Sequence, residues 1–353
     1  MSGPTDASPP HCAPWLQRQL EPLLAQRGHA LLLAGPSGLG QYELALALAR
    51  AWLCDQPTPH GACNQCTSCH AVDVRTHPEL LVLMPEIMAL ERDWPLDEKT
   101  RDRIEKKEVK PSKWIRVEAA RAVVGFAQTT RSRGRVKVVL VFPADRLNME
   151  SANTLLKTLE EPPGDLRFVL ATEAAHLLPA TVRSRCQTHV LQWPQAGEAE
   201  QWLLAQTPGA PATQAATWLK AAGGRPDDAL AWAQLGLQPQ QWSALPKAMA
   251  KGDASAHAAW EPARWLDVLQ KLAHDLLAVS ADGAPRYFAA TDLPPLPPMG
   301  ALQQWVCDLN QAARSVEHPY HAALLLEAWM ARAQQVWGKP AAHQVGSRPK
   351  LAL

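Results

Sequence analysis

The sequence predicts an α/β domain with a parallel sheet, followed by two all-helical segments. Five short, nearly continuous apolar runs lie within the first 193 residues, and helical patterns separate them. Such runs suit strands buried on both faces of a parallel sheet. After Trp193-Pro194 no strand-like run recurs. Alanine, leucine, glutamine and tryptophan dominate there, and ten of the 14 tryptophans lie beyond residue 190. The 353 residues are 47% hydrophobic and 20% charged, enough for two or three cored domains.

The strand candidates, in order, are 30–34, 80–84, 136–142, 167–171 and 188–191. The helical pattern at 41–53 follows the first, 115–128 precedes the third and 151–161 follows it. In the last, Ser151 is the expected N-cap, Leu155, Leu156 and Leu159 share a face, and Pro162-Pro163 stops the helix. Alternation of this kind makes a parallel five-stranded sheet with crossover helices over residues 1–193. A charged insertion occupies about 85–114; from 91 to 116 it carries nine basic and seven acidic residues. Signs that nearly cancel read as a solvated insertion or extended helix, with a partner or DNA contact as the sharper alternative.

Beyond residue 193 the expected helices are about 198–206, 212–222, 226–235, 238–250, 256–280, 299–316 and 319–337. Gly223-Gly224 and residues 251–253 read as breaks, and 292–300 is a proline-rich connector. The expected division is a three-helix domain at 194–250, a second helical domain at 254–338 and a loose tail at 339–353. The tryptophans sit at helical spacings with leucines and are expected to pack cores.

Lysine plus arginine totals 35 against 34 aspartate plus glutamate, a net charge of +1. That argues against a whole-surface polyanion binder and leaves local patches open. Arg131, Arg133, Arg135 and Lys137 form one such run. Its alternation suggests a solvated hairpin-like loop, with DNA or another subunit as the alternative contact. No apolar run approaches the roughly 20 residues that span a bilayer. The first residues lack a basic segment followed by an apolar one, so the expected compartment is the cytoplasm, with no membrane contact.

Residues 35–42 read Gly-Pro-Ser-Gly-Leu-Gly-Gln-Tyr, between a strand and a helix. The phosphate-binding pattern is G-x-x-x-x-G-K-[ST] in that context. Gly35, Gly38 and Gly40 keep the loop, whose N–H groups could cradle phosphate. Gln41 stands where a lysine would neutralise phosphate, and Tyr42 where a small hydroxyl would bind Mg²⁺. The third strand ends in Phe142-Pro143 rather than an acidic pair, and Asp145 lies three residues too far on. No functional nucleotide site is expected.

Four of seven cysteines, Cys54, Cys63, Cys66 and Cys69, make a C-x8-C-x2-C-x2-C cluster. Four thiolates suit tetrahedral, structural Zn²⁺; free thiols and redox chemistry are the rival readings. An odd cysteine count without an export signal disfavours a disulfide framework. No lysine or arginine lies between Cys54 and Cys69, so this module, extending over about 54–76, is a poor DNA reader.

Four segments carry a resemblance: the glycine loop without its lysine, the cysteine module after the following helix, SANTLLKTLEEPP at 151–163 and FVLATEAAHLLPATVRSRC at 168–186. Together they resemble the AAA+ clamp-loader family of bacterial DNA polymerase III. Together with the degenerate nucleotide site, these segments resemble the family's non-ATPase branch more than its ATPase subunits, gamma and tau. The resemblance implies a P-loop NTPase-like AAA+ domain, a lid at 194–250 and a collar at 254–338. It puts Thr172 at the sensor-1 position and Arg185 on the arginine finger offered in trans to a neighbour's ATP. Arg183 competes for that role, and a surface ion pair is the plainer reading of Arg185. Asp227 aligns where an active ATPase has its sensor-2 arginine, with Arg225 offset. The implied partners are gamma/tau and delta subunits in a hetero-pentamer, with the sliding clamp and primed DNA as targets. Polymerase (nucleotidyltransferase) chemistry would belong to the holoenzyme. Family members are shorter where this chain has its insertion. The rivals are an active AAA+ ATPase subunit and a zinc-dependent nucleic-acid-binding protein.

Overall fold

All five apolar runs form strands. The computed structural model describes residues 12–195, 197–314, 316 and 321–338; the expected loose tail at 339–353 lies outside them. In chain order, α1 (Pro14–Leu24), β1 (Ala30–Ala34), α2 (Gln41–Leu53) and α3 (Thr67–Asp73) lead to β2 (Leu80–Leu83). The insertion holds α4 (Glu86–Glu91) and α5 (Glu98–Glu105). Then come α6 (Val117–Gln128), β3 (Lys137–Val141), α7 (Met149–Glu160), β4 (Leu166–Thr172), α8 (Ala180–Arg183) and β5 (Gln187–Val190).

The sheet has the order β2-β3-β4-β1-β5, and every pair is parallel. Successive strand residues face opposite sides. Leu31 and Leu33 join one core with Trp15, Leu44 and Leu48, while Ala30 and Leu32 join the other with Val123, Leu155 and Leu159. Helices therefore cover both faces, as near-continuous apolar strands require. β5 is the exception: it lies at the edge and its residues are largely exposed.

The cap of α7 differs from expectation. Asn148, not Ser151, is the N-cap; its Oδ1 accepts the Ser151 N–H at 2.7 Å. The Ser151 hydroxyl instead donates to the Ile115 carbonyl, tying α7 to the start of α6. Three members of the basic run at β3 are engaged within the chain. Arg131 pairs with Asp165, and Arg133 with Asp55. Lys137 is buried and donates to the carbonyls of Phe126 and Thr129 at 2.7 and 2.6 Å.

The helical remainder contains α9 (Glu198–Gln206), α10 (Ala212–Ala221), α11 (Pro226–Gln234), α12 (Pro239–Ala250), α13 (Pro262–Ser280), α14 (Met299–Ala313) and α15 (Ala322–Trp337). Residues 194–250 thus hold four helices rather than three. α13 starts at Pro262, because proline has no N–H and favours a first helical turn. The chain forms two compact units: Met1–Ala205 with Arg225–Asp228, and Gln206–Gly224 with Ala229–Leu353. The second unit joins segments that the sequence reading separated near residue 250. Within it Trp242 stacks on Phe288 at 4.6 Å and donates to the Tyr287 carbonyl at 3.0 Å. Asp275, fully buried, accepts the N–H groups of Arg286, Tyr287 and Phe288, each at 2.8 Å. Trp218, Trp232, Trp242, Trp265 and Trp305 are all buried, so the tryptophans do build cores.

Candidate nucleotide site and metal centre

The glycine loop runs from the end of β1 into α2. Gly38 and Gly40 both sit at positive φ, 75° and 94°. A Cβ on Gly40 would meet Leu16 Cδ1 at 2.6 Å, and one on Gly38 would meet Asp228 Oδ1 at 2.7 Å. Only glycine suits either position.

The loop's interior is occupied by its own next residue. The Gln41 amide, 2% exposed, donates to the carbonyls of Gly35 and Pro36 at 2.9 and 2.6 Å. A lysine here would direct a cation toward phosphate; the amide instead ties the loop to itself. Arg225 donates to Ser37 Oγ at 2.8 Å and pairs with Asp228, while the Asp227 N–H reaches the Gly38 carbonyl. The segment aligned with sensor 2 therefore lies against the loop.

The positions expected to serve Mg²⁺ carry aromatic rings. Tyr42 and Phe142 lie 5.3 Å apart. The Trp94 indole N–H donates to the Tyr42 hydroxyl at 2.6 Å, and the Arg92 guanidinium lies 4.2 Å from the Tyr42 ring centroid. Both residues come from the insertion, which is thus half packed rather than simply solvated. Sequence reasoning missed them; a lone tryptophan inside a charged stretch was the available signal. Thr172, expected at the sensor-1 position, is fully buried and donates its hydroxyl to Asp145 at 2.6 Å.

Carboxylates crowd the same region. Asp227 is pushed up to about 8, first by burial and then by Glu43 and Asp228, with Arg92 pulling the other way. Such surroundings favour a neutral or cationic occupant and oppose a polyphosphate.

Arg185 sits elsewhere. β5 pairs with β1 from Leu31↔Gln187 to Ala34↔Val190. Arg185 precedes β5, so it lies at the strand-start edge, whereas the glycine loop follows the opposite edge. Its guanidinium bonds Glu160 Oε2 at 3.0 and 3.2 Å and the Thr181 carbonyl at 2.9 Å. Arg183 is exposed at the end of α8.

The four cysteines do converge. Their sulfurs all lie within 4.8 Å of one another, with Cys54–Cys66 at 3.8 Å and Cys63–Cys69 at 4.0 Å. A tetrahedron of sulfurs about 2.3 Å from a central zinc has edges of about 3.8 Å, so the set fits Zn²⁺. Backbone N–H groups of Gln56 and Cys63 point at Cys54 Sγ, and that of Cys69 at Cys66 Sγ. N–H donation, led by Gln65, lowers the Cys63 thiol to about 6, while burial raises Cys54 and Cys69. A bound divalent cation would supply the charge that stabilises all four thiolates. Arg133 reaches in from before β3 to bond Asp55 and Thr67, anchoring the module. His60 and His77 are engaged outside the cluster, with Glu21 and with the Glu79 N–H.

A five-stranded parallel sheet with a glycine loop after β1 defines a P-loop, AAA+-like class of protein. Within that class the chain belongs to the family described as DNA polymerase III, delta subunit, whose model matches residues 14–195. It is 36% identical to the DNA polymerase III subunit delta' of Pseudomonas aeruginosa over 215 residues, covering 60% of this chain and 58% of that one. It is 37% identical to subunit delta' of Escherichia coli over 195 residues, covering 54% and 52%. It is also 32% identical to subunit tau of Escherichia coli over 158 residues, 45% of this chain and 20% of that one. The chain thus spans little more than half the length of the delta' relatives it matches. Among the described residues, no helix is long and apolar enough to cross a membrane.

Proposed function

We propose that the chain is a non-catalytic clamp-loader subunit of the DNA polymerase III holoenzyme. It would support ATP-dependent loading of a sliding clamp onto primed DNA in the cytoplasm, without binding or hydrolysing ATP itself. The observation that carries the reading is the combination of a filled glycine loop with an arginine at the far edge of the sheet. Gln41, Tyr42 and Phe142 stand in place of the expected lysine, hydroxyl and carboxylate, and Arg92 and Trp94 pack against the two rings. Arg185 is on the wrong side to serve this chain's own loop, so a phosphate it stabilises must belong to a neighbour. Its tie to exposed Glu160 is worth at most about 1 kcal/mol and would not hold it back.

In this reading Cys54, Cys63, Cys66 and Cys69 hold structural Zn²⁺. Residues 194–250 act as the lid and 254–338 as the collar, and the partners are gamma/tau and delta subunits in a hetero-pentamer. Thr172 keeps the sensor-1 position but serves Asp145. The test is ATPase activity of reconstituted complexes stimulated by clamp and primed DNA. Arg185→Ala should assemble normally and lower turnover. A finger is worth about 10³–10⁵ in rate at one site, but only that site loses it while the others keep their own, so total turnover should fall by roughly a third or less. Arg185→Lys should not rescue it, because an ammonium lacks the planar fork. Normal turnover with Arg185→Ala, or a defect confined to Arg183→Ala, refutes the assignment. Mg²⁺-dependent ATP turnover by the chain alone refutes the non-catalytic reading.

A further inference from the structure

The insertion at about 85–114 has no role in the reading above, yet it supplies two of the side chains at the degenerate site. Its geometry is specific. α4 ends in a paired hydrogen-bond motif: Trp94 N–H reaches the Ala89 carbonyl at 2.8 Å, and Asp93 N–H the Leu90 carbonyl at 3.3 Å. Asp93, at the left-handed position, has φ 53°. This is the six-to-one and five-to-two pattern that closes helices, with aspartate in the place glycine usually takes. It fixes the turn that carries Arg92 and Trp94.

Trp94 is 8% exposed and joins the core formed by α1, α2 and the sheet. Its indole N–H meets the Tyr42 hydroxyl, a residue 52 positions away. Arg92 lies over two rings, 4.2 Å from Tyr42 and 5.5 Å from Phe142, and pairs with Glu43 at 3.4 Å. Tyr42 and Phe142 stand where a working site would carry its Mg²⁺-binding hydroxyl and carboxylate. In their place are two π-faces with a guanidinium upon them, an arrangement that attracts a cation, and Glu43 adds a carboxylate beside it. The charge also has work to do electrostatically: Glu43 and Asp227 lie within its influence, and Arg92 opposes their mutual repulsion.

We propose that the Arg92–Trp94 turn is an intramolecular occupant of the degenerate nucleotide site. Arg92 serves as a built-in cation at the metal position, and Trp94 as the wedge that holds Tyr42 and the start of α2 in one conformation. This rests on the reading that the chain binds no nucleotide.

The experiment is hydrogen–deuterium exchange on the full chain, comparing wild type, Arg92→Ala, Trp94→Phe and the Arg92→Ala/Trp94→Ala double variant. Zinc content and melting temperature serve as folding controls. Amides of residues 38–45 should exchange about tenfold faster or more in the double variant, with β4 unchanged. Trp94→Phe, which keeps an aromatic ring but loses the indole N–H and part of the buried volume, should fall between. Unchanged exchange at 38–45 in Arg92→Ala and Trp94→Phe overturns the proposal. So does acceleration spread evenly over the whole α/β unit, which would mark general destabilisation. Titration of wild type with a fluorescent ATP analogue and Mg²⁺ is a separate arm. Binding there defeats the non-nucleotide reading, whereas the exchange data alone decide the occupant.

Discussion

Asp227→Asn should make the α/β unit less sensitive to alkaline pH. In the folded chain Asp227 keeps its proton up to about pH 8, against an ordinary value of 3.8. Between those values the folded state binds more protons than the unfolded state, so stability falls as pH rises through that window and levels off above it. Asparagine mimics the protonated acid and has no proton to lose, and the Asp227 N–H bond to Gly38 is a backbone bond that survives the change. From pH 6 to pH 8 the retained proton is worth at most about 2.7 kcal/mol, at 1.36 kcal/mol per unit. Relaxation and water entry around a partly buried group bring this to roughly half, ~1.3 kcal/mol. For a unit of this size that is about 3–5 °C in melting temperature. Calorimetry of wild type and variant at pH 6 and pH 9 gives the comparison. The advantage of Asp227→Asn should be larger at pH 9 by that amount. An equal gap at both pH values would show that Asp227 ionises normally and that the carboxylate crowding has no energetic weight.

The cysteine cluster should yield one zinc per chain by elemental analysis, and Cys66→Ser should surrender the metal to a chelator about tenfold faster or more, with a lower melting temperature, because metal binding and local folding are linked. Metal-free protein purified without chelator would reject the centre. Gly40→Ala should cost about 2 kcal/mol or more in chemical denaturation, since its backbone is left-handed and the new methyl would strike Leu16. A loss under about 0.5 kcal/mol would mean that α1 yields easily.

The sheet was legible because its strands are apolar on both sides. Residues 30–34 and 41–53 form the strand and helix that their patterns predict, and the other strands differ by a residue or two at their ends. The cysteine spacing was equally readable, since short steps leave few ways to arrange four thiolates. What stayed hidden depends on long-range contacts. Trp94 meets Tyr42, Arg133 meets Asp55, and Arg225 meets Ser37; no local pattern announces such pairs. The cap of α7 was misjudged for a related reason: Asn148 and Ser151 are both good caps, and only the Ile115 carbonyl decides which takes another task. Short helices such as α3, α4 and α8 span too few residues to show a period.

Because every strand of the sheet points the same way, its two ends are chemically independent. A helix begins near one end, where backbone N–H groups gather, and the loop there belongs to whatever α2 needs. The other end holds the turn from α8 into β5, with Arg185 clasped to α7 through Glu160. Four paired residues of β1 and β5, from Leu31↔Gln187 to Ala34↔Val190, separate the two ends. Gln41 and Tyr42 act at the loop end and Arg185 at the strand-start end, so variants at the two ends report on separate surfaces of one sheet.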